Sequence, residues 1–314
     1  MNLTLLLSLV PPFFTLQQRL LNDQYNLGTQ NNHPFTFSDM PSRIDWHAGE
    51  RAAHKLLKAP TPSHNPTSPG LPRPYAQRIA ASPLVAFGTL DRDGRPWTTL
   101  WGGERGFARP VAPGMLGVNA TVGGDDPVFG ELWRGAGADG FVRPDGGEES
   151  LKILGGLSID PETRDRVKFA GRRLAGAVVA KEGEGVEVDD EDEAGGRGKA
   201  GMEVQMIVEV TETLGNCPKY INKKRIVPTE MKPVVASKGL PLSEEAIRLI
   251  RKADLFFISS ATVVNGEVSM DTNHRGGPPG FVRVARNDEG GVVLVYPECK
   301  VAHVIRLSKM TKDC

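Results

Sequence analysis

Residues 84–109 read LVAFGTLDRDGRPWTTLWGGERGFAR, and residues 255–283 read LFFISSATVVNGEVSMDTNHRGGPPGFVR. Each passes from an apolar run through a Gly-bearing turn into a second run, then a Gly-Gly segment and a Gly-Phe-x-Arg close. Short apolar runs bounded by turn residues read as strands, and two of them across a tight turn read as a hairpin. In the first stretch Asp91-Arg92-Asp93-Gly94 supplies the turn, with Gly94 able to take a positive φ. Few residues are identical, but the order of elements recurs. That order predicts corresponding hairpins, over 84–101 and 255–271, in two related barrels.

Outward from these hairpins the strand signal continues. Residues 151–159 and 166–174 flank the turn Asp160-Pro161-Glu162-Thr163 and read as another hairpin, and 202–211 reads as a further strand. Residues 181–201 are acidic and glycine-rich with almost nothing apolar to bury, which predicts a solvated loop between paired strands. Helices are few. Asp126-Pro127 is a cap followed by proline at the first helical position. Ser243 caps a helix with Glu244 and Glu245 at its favourable end. Residues 45–58, capped by Asp45, read as a third. Six prolines within 59–74 predict an exposed linker that holds no helix.

The second copy is short. After Phe281-Val282-Arg283 come one strand near Val292 and a tail without a turn signal. Four parts are expected: a disordered or artefactual leader over 1–39, a first barrel over 40–222, a second, incomplete barrel over 223–297, and an unpatterned tail over 298–314. The fold class is mainly β, a duplicated barrel with a few helices, its second copy incomplete.

Composition agrees. Glycine and proline number 36 and 24 in 314 residues, favouring turns and short strands over a helical bundle. Lys plus Arg equals Asp plus Glu at 38 each, so no global field draws the chain to nucleic acid or an anionic membrane. The apolar start, MNLTLLLSLVPPFF, lacks a basic leader and a small-residue cleavage site. Three scattered cysteines, Cys217, Cys299 and Cys314, make neither a disulfide framework nor a metal spacing. A cytoplasmic protein is expected. No Gly-x-Gly-x-x-Gly follows a strand and no Gly-x-Ser-x-Gly occurs, so dinucleotide-loop and hydrolase-elbow readings have no support. His47, Glu50 and His54 have helical spacing that permits a metal, but a third strong ligand is not evident nearby, and none is expected.

Several runs carry a resemblance. They are Trp46-His47-Ala48-Gly49-Glu50, Gly94-Arg95-Pro96-Trp97, Gly106-Phe107 and Asp160-Pro161-Glu162-Thr163-Arg164. Two more specific ones are Asn216-Cys217-Pro218-Lys219-Tyr220-Ile221 and His274-Arg275-Gly276-Gly277-Pro278-Pro279-Gly280-Phe281-Val282-Arg283. Over about residues 40–297 the sequence resembles the pyridoxamine 5′-phosphate oxidase-like FMN-binding split-barrel family, in its larger tandem-barrel members. The resemblance implies a small antiparallel Greek-key FMN-binding split barrel, with FMN in the cleft between two barrels, in a homodimer or an intramolecular pseudo-dimer. It also implies a flavin-dependent oxidoreductase of unknown substrate. Members continue past the position of Tyr296 with further strands, so this chain looks truncated. The alternative is a non-catalytic flavin-binding or cofactor-sequestering protein, or a truncated inactive fragment.

Flavin mononucleotide needs cations at its phosphate and hydrogen bonds along its ring. The candidate cofactor residues are Arg95, Trp97, Thr98 and Thr99 on the first hairpin, Lys219 and Tyr220, and His274, Arg275, Gly276 and Arg283. Arginine gives planar, bidentate phosphate recognition, and adjacent glycines let backbone amides approach an anion. The His274-to-Gly277 segment is the strongest phosphate candidate. It is expected to be the counterpart of Gly102-Gly103-Glu104-Arg105, where Glu104 opposes an anion. No catalytic acid or base is identified.

Overall fold

A computed structural model of the chain describes residues 44–46, 48–56, 58, 64–143, 151–180, 201–215, 220–228, 236–237, 241–264, 267–286, 291–298 and 303–306. The leader, the acidic stretch 181–200, Lys219 and all three cysteines lie outside the described residues.

The protein is mainly antiparallel β. Helix α1 spans Ala48–Leu56, strand β1 Ser68–Pro69 and helix α2 Arg73–Ala81. Strands β2 (Leu84–Leu90), β3 (Pro96–Gly102), β4 (Ala108–Ala112) and β5 (Met115–Gly123) follow. Helix α3 (Pro127–Leu132), β6 (Phe141–Val142), β7 (Lys152–Asp160), β8 (Asp165–Ala180) and β9 (Gly201–Gly215) complete the larger unit. Then come α4 (Glu244–Lys252), β10 (Leu255–Val264), β11 (Glu267–Gly276), β12 (Arg283–Arg286), β13 (Val292–Glu298) and β14 (His303–Arg306).

The large sheet runs β3-β2-β7-β8-β9-β5-β4, with β1 on β9 and β6 on β8. It curls around a core of Val85, Phe87, Trp101, Leu116, Val118, Phe169, Val204, Met206 and Val208. The barrel is not closed, because β3 and β4 end the path. Strands β10 and β11 form a separate hairpin, and β12-β13-β14 a small sheet.

Local chemistry explains most elements. Asp91 Oδ1 accepts from the amides of Asp93 and Arg95, both 2.9 Å, and Gly94 closes the β2–β3 turn at φ +73°. Asp126 Oδ1 caps α3 through the amides of Val128 and Phe129, while its Oδ2 accepts from Thr99 and Trp101. Ser243 caps α4 through the Ala246 amide.

Three expectations are corrected. Helix α1 begins at Ala48, three residues beyond Asp45, whose carbonyl instead accepts from Asn65. The proline-rich stretch is not wholly a linker: Ser68–Pro69 pairs with β9, and α2 starts at Arg73. Proline is tolerated in a first helical turn, where the missing N–H has no intrahelical partner anyway, so Pro74 opens that helix. The tail carries β14, which pairs with β13.

The repeat is visible in register. Leu84 pairs with Gly102 at the open end of the first hairpin, and Leu255 with Gly276 at that of the second. The amide of Gly103 bonds the Pro83 carbonyl (3.1 Å), and that of Gly277 bonds the Asp254 carbonyl (3.0 Å). Gly106 and Gly280 both take positive φ, and the amides of Phe107 and Phe281 each bond the carbonyl three residues back. A helix, two paired strands, this loop and two more paired strands thus occur twice, as α2-β2-β3-β4-β5 and α4-β10-β11-β12-β13. The register aligns Gly276-Gly277 with Gly102-Gly103, two residues away from the expected alignment. His274 is therefore the counterpart of Leu100, and Arg275 of Trp101.

Two carboxylates make acid sensitivity predictable. At Asp91 burial pushes the pKa up, but hydrogen bonds from Trp97 and Arg95 outweigh it and hold the group well below the usual 3.8. Asp165 is also lowered, chiefly by its hydrogen bonds with Arg78. With folded pKa values depressed, the unfolded chain binds more protons in acid. The stability they confer is whole above the ordinary carboxylate range and declines as pH falls through and below 3.8. Melting temperatures from pH 6 to 2.5 are expected to fall, and Asp91→Asn to shallow that fall.

Candidate functional site

The two hairpins meet face to face. Gly88 pairs with Thr98 across β2–β3 and with Gly155 across β2–β7, and Gly155 pairs with Ala170 on β8. This row of small side chains admits the second hairpin. Ser259 of β10 and Thr272 of β11, themselves paired, lie directly over Gly88, and Thr272 lies over Gly155 as well. Thr98 Oγ1 donates to Ser259 Oγ at 2.8 Å, and the Ser259 and Thr272 hydroxyls are 2.9 Å apart.

Gly88 and Ser259 stand four residues in from Leu84 and Leu255, and Thr98 and Thr272 four back from Gly102 and Gly276. They are equivalent pairs. Thr98 touches Ser259, the counterpart of Gly88, while Gly88 touches Thr272, the counterpart of Thr98. Reciprocal contact of this kind is the mark of a two-fold interface. Within one chain the two hairpins thus meet through equivalent positions.

Cations and a carboxylate from β8 and β11 extend the seam. Lys168 Nζ pairs with Asp271 at 2.6 Å, and the buried Arg166 Nη1 contacts the His274 ring, 2.7 Å from Nδ1. Deeper in the barrel, burial lowers the Arg173 guanidinium to about 10.

Beside the seam a cleft of about 450 Å³ opens between the second hairpin and strands β8 and β9. The larger unit supplies Lys168, Ala170, Glu212 and Thr213, and the second hairpin supplies Ser260, Thr262, Ser269 and Asp271. Asp45, Glu50 and Thr67 close a third side. Its volume falls within the range of small-molecule sites, roughly 300–1,000 Å³. Carboxylates outnumber cations among the described lining residues.

The sequence candidates are dispersed. Arg95 is held by Asp91 and Asp93 at the hairpin turn, and Trp97 Nε1 donates to Asp91. Thr99 turns to Asp126, on the face opposite Thr98. Thr98 and His274 are on the seam, and Arg275 Nη1 donates to the His274 carbonyl. Gly276 lies against the backbone of Tyr220, whose half-exposed ring does not line the cleft, and Arg283 is exposed on β12. His54 packs edge-on against Trp46. The residues that sequence reasoning missed are Lys168, Asp271, Ser259 and Thr272. The repeat held the signal for the last two, once aligned at its glycines.

No protein-family model matches the chain, and no curated protein sequence does. Among solved structures, a Lactobacillus delbrueckii protein designated a candidate pyridoxamine 5′-phosphate oxidase is 14% identical, with a TM-score of 0.26. That likeness covers 46% of this chain and 94% of the other. A Mycobacterium smegmatis FAD and heme binding protein is 12% identical, with a TM-score of 0.23, covering 59% of this chain and 97% of that one. No helix among the described residues is long and apolar enough to cross a membrane.

Proposed function

We propose that the chain binds a flavin, FMN, in the cleft beside the seam and serves as an oxidoreductase. The observation that carries this reading is the reciprocal contact of the two hairpins at the seam. It sets two related hairpins face to face, and the cleft beside it lies between the second hairpin and strands β8 and β9; the split-barrel resemblance expects a flavin in a cleft between barrels. The fit is adequate in size. For the phosphate the described lining offers Lys168, and Ser260, Thr262 and Ser269 offer hydroxyls to a polar chain. A bound flavin would supply hydride or electron transfer at its ring, and the protein orientation and electrostatics. The Lys168–Asp271 pair fixes the lysine at the cleft wall.

The test is titration of purified full-length protein with FMN and with riboflavin, followed by flavin absorbance and fluorescence. Lys168→Ala is expected to weaken FMN about ten- to a hundred-fold, as expected for loss of a charged hydrogen bond, and riboflavin little. Arg275→Ala, the choice favoured by the sequence alone, tests the competing phosphate position. A colourless, folded protein that ignores both ligands refutes the reading. Flavin binding without turnover of any electron donor would leave a cofactor-holding role.

A further inference from the structure

We propose that one end of the molecule, built from residues 220–227 and the last turn of α4, binds the surface of an anionic lipid membrane. None of the residues invoked lines the cleft, so the inference stands apart from the flavin reading. The two segments are tied together at Asp254, just beyond the helix. Its Oδ2 accepts from Asn222 Nδ2 at 3.0 Å and its Oδ1 from Lys224 Nζ at 2.6 Å. Around this knot lie Lys223, Lys224, Arg225, Arg248, Arg251 and Lys252, all exposed. Lys224 is paired with Asp254, and the other five are in no ion pair among the described residues. On the neighbouring β7–β8 turn Glu162 accepts from the Ile226 amide, and Arg105 stands against both Asp160 and Glu162. The helix dipole favours cations in a last turn, which accounts for Arg251 and Lys252. Lys223 and Arg225 sit outside any helix, where no such effect calls for them.

Large apolar side chains stand among these cations. Tyr220 is 50% exposed, Val227 66% and Leu249 65%. A face that is merely solvated gains nothing from them. Cations meet lipid phosphates, and apolar side chains enter the boundary between headgroups and acyl chains. The two signals together hold a protein at a membrane surface where either alone binds marginally. A nucleic acid would engage the cations and leave Val227 and Leu249 in water.

The even balance of charge over the whole chain excludes attraction at long range, not at contact. Charges are screened beyond about 8 Å at physiological ionic strength, so acids elsewhere on the molecule do not cancel this end.

The test is co-sedimentation of the full chain, without added flavin, with vesicles of phosphatidylcholine and phosphatidylserine in roughly a two-to-one ratio, beside vesicles of phosphatidylcholine alone. Wild type is expected to bind the mixed vesicles and not the neutral ones, and to be released by salt. Lys223→Ala combined with Arg225→Ala is expected to weaken binding about thirty-fold, each cation near such a surface contributing about five-fold. Leu249→Ser is expected to weaken it about five- to ten-fold and to leave binding of a short DNA duplex unchanged. Arg92→Ala combined with Arg172→Ala, exposed cations on the larger unit, is expected to bind as wild type does. Circular dichroism should match wild type in every variant. Failure to bind the mixed vesicles, equal binding to neutral ones, or equal loss in the Arg92 and Arg172 variant would each overturn the proposal. Vesicle binding that ignores Leu249→Ser, with tighter binding to the duplex, would make this end a nucleic-acid surface instead.

Discussion

Replacing Gly88 by valine is expected to detach the second hairpin from the larger sheet while the larger unit stays folded. A side chain at this position would run into the Ser259 and Thr272 hydroxyls and the Ser259 Cβ. Gly88 lies mid-strand, with Thr98 and Gly155 fixed on either side, so the sheet cannot yield. The hairpin must move instead. That breaks the Thr98–Ser259 bond and pulls Thr272 off Gly155. Overpacking of this kind costs about 1–3 kcal/mol, and a lost buried hydrogen bond adds about 1 kcal/mol. Amide exchange should rise across β10 and β11 and stay slow in β7, β8 and β9. On the flavin proposal, affinity should fall with it, because Ser260, Thr262, Ser269 and Asp271 leave the cleft wall. Unchanged exchange in β10 would show that the seam does not hold the hairpin.

The seam also marks where sequence reading stops. Both hairpins, the Asp126 cap and the Ser243 cap were legible because each depends on chemistry within a few residues. Helix α2 was hidden by prolines that look like breakers until their place in a first turn is known. Arg166 and Lys168 alternate with the buried Val167 and Phe169, so period two alone sends them to solvent. Only the second hairpin, over 100 residues later, makes that outer face an interface. Gly88 and Gly155 read as ordinary strand glycines for the same reason. The alignment of the two copies was two residues out, setting His274-Arg275 against Gly102-Gly103. With Gly276-Gly277 in that place, His274 falls beside Arg166 on the seam. Arg275 alternates away from it.

The larger unit has its own linchpin in Phe169, and truncating it to alanine is expected to have the largest effect of any single change. The ring is buried, stands edge-on to Phe87 at 6.1 Å between centroids, and covers Gly156, its cross-strand partner on β7. Removing a buried phenyl ring costs about 3–5 kcal/mol, a large share of the 5–15 kcal/mol that holds a typical domain together. Gly156→Val attacks the same contact from the other side. Its side chain would occupy the space of the Phe169 ring and force it out, at about 1–3 kcal/mol. The two changes together should be less harmful than their sum, because the valine fills part of the cavity that Phe169→Ala leaves. Urea unfolding of the four proteins of this cycle measures the coupling. Additivity would mean that the ring does not fill the space over Gly156 in solution. A coupling of about 1 kcal/mol or more would place the ring there and make it the packing on which β7 and β8, and hence the wall bearing Lys168, depend.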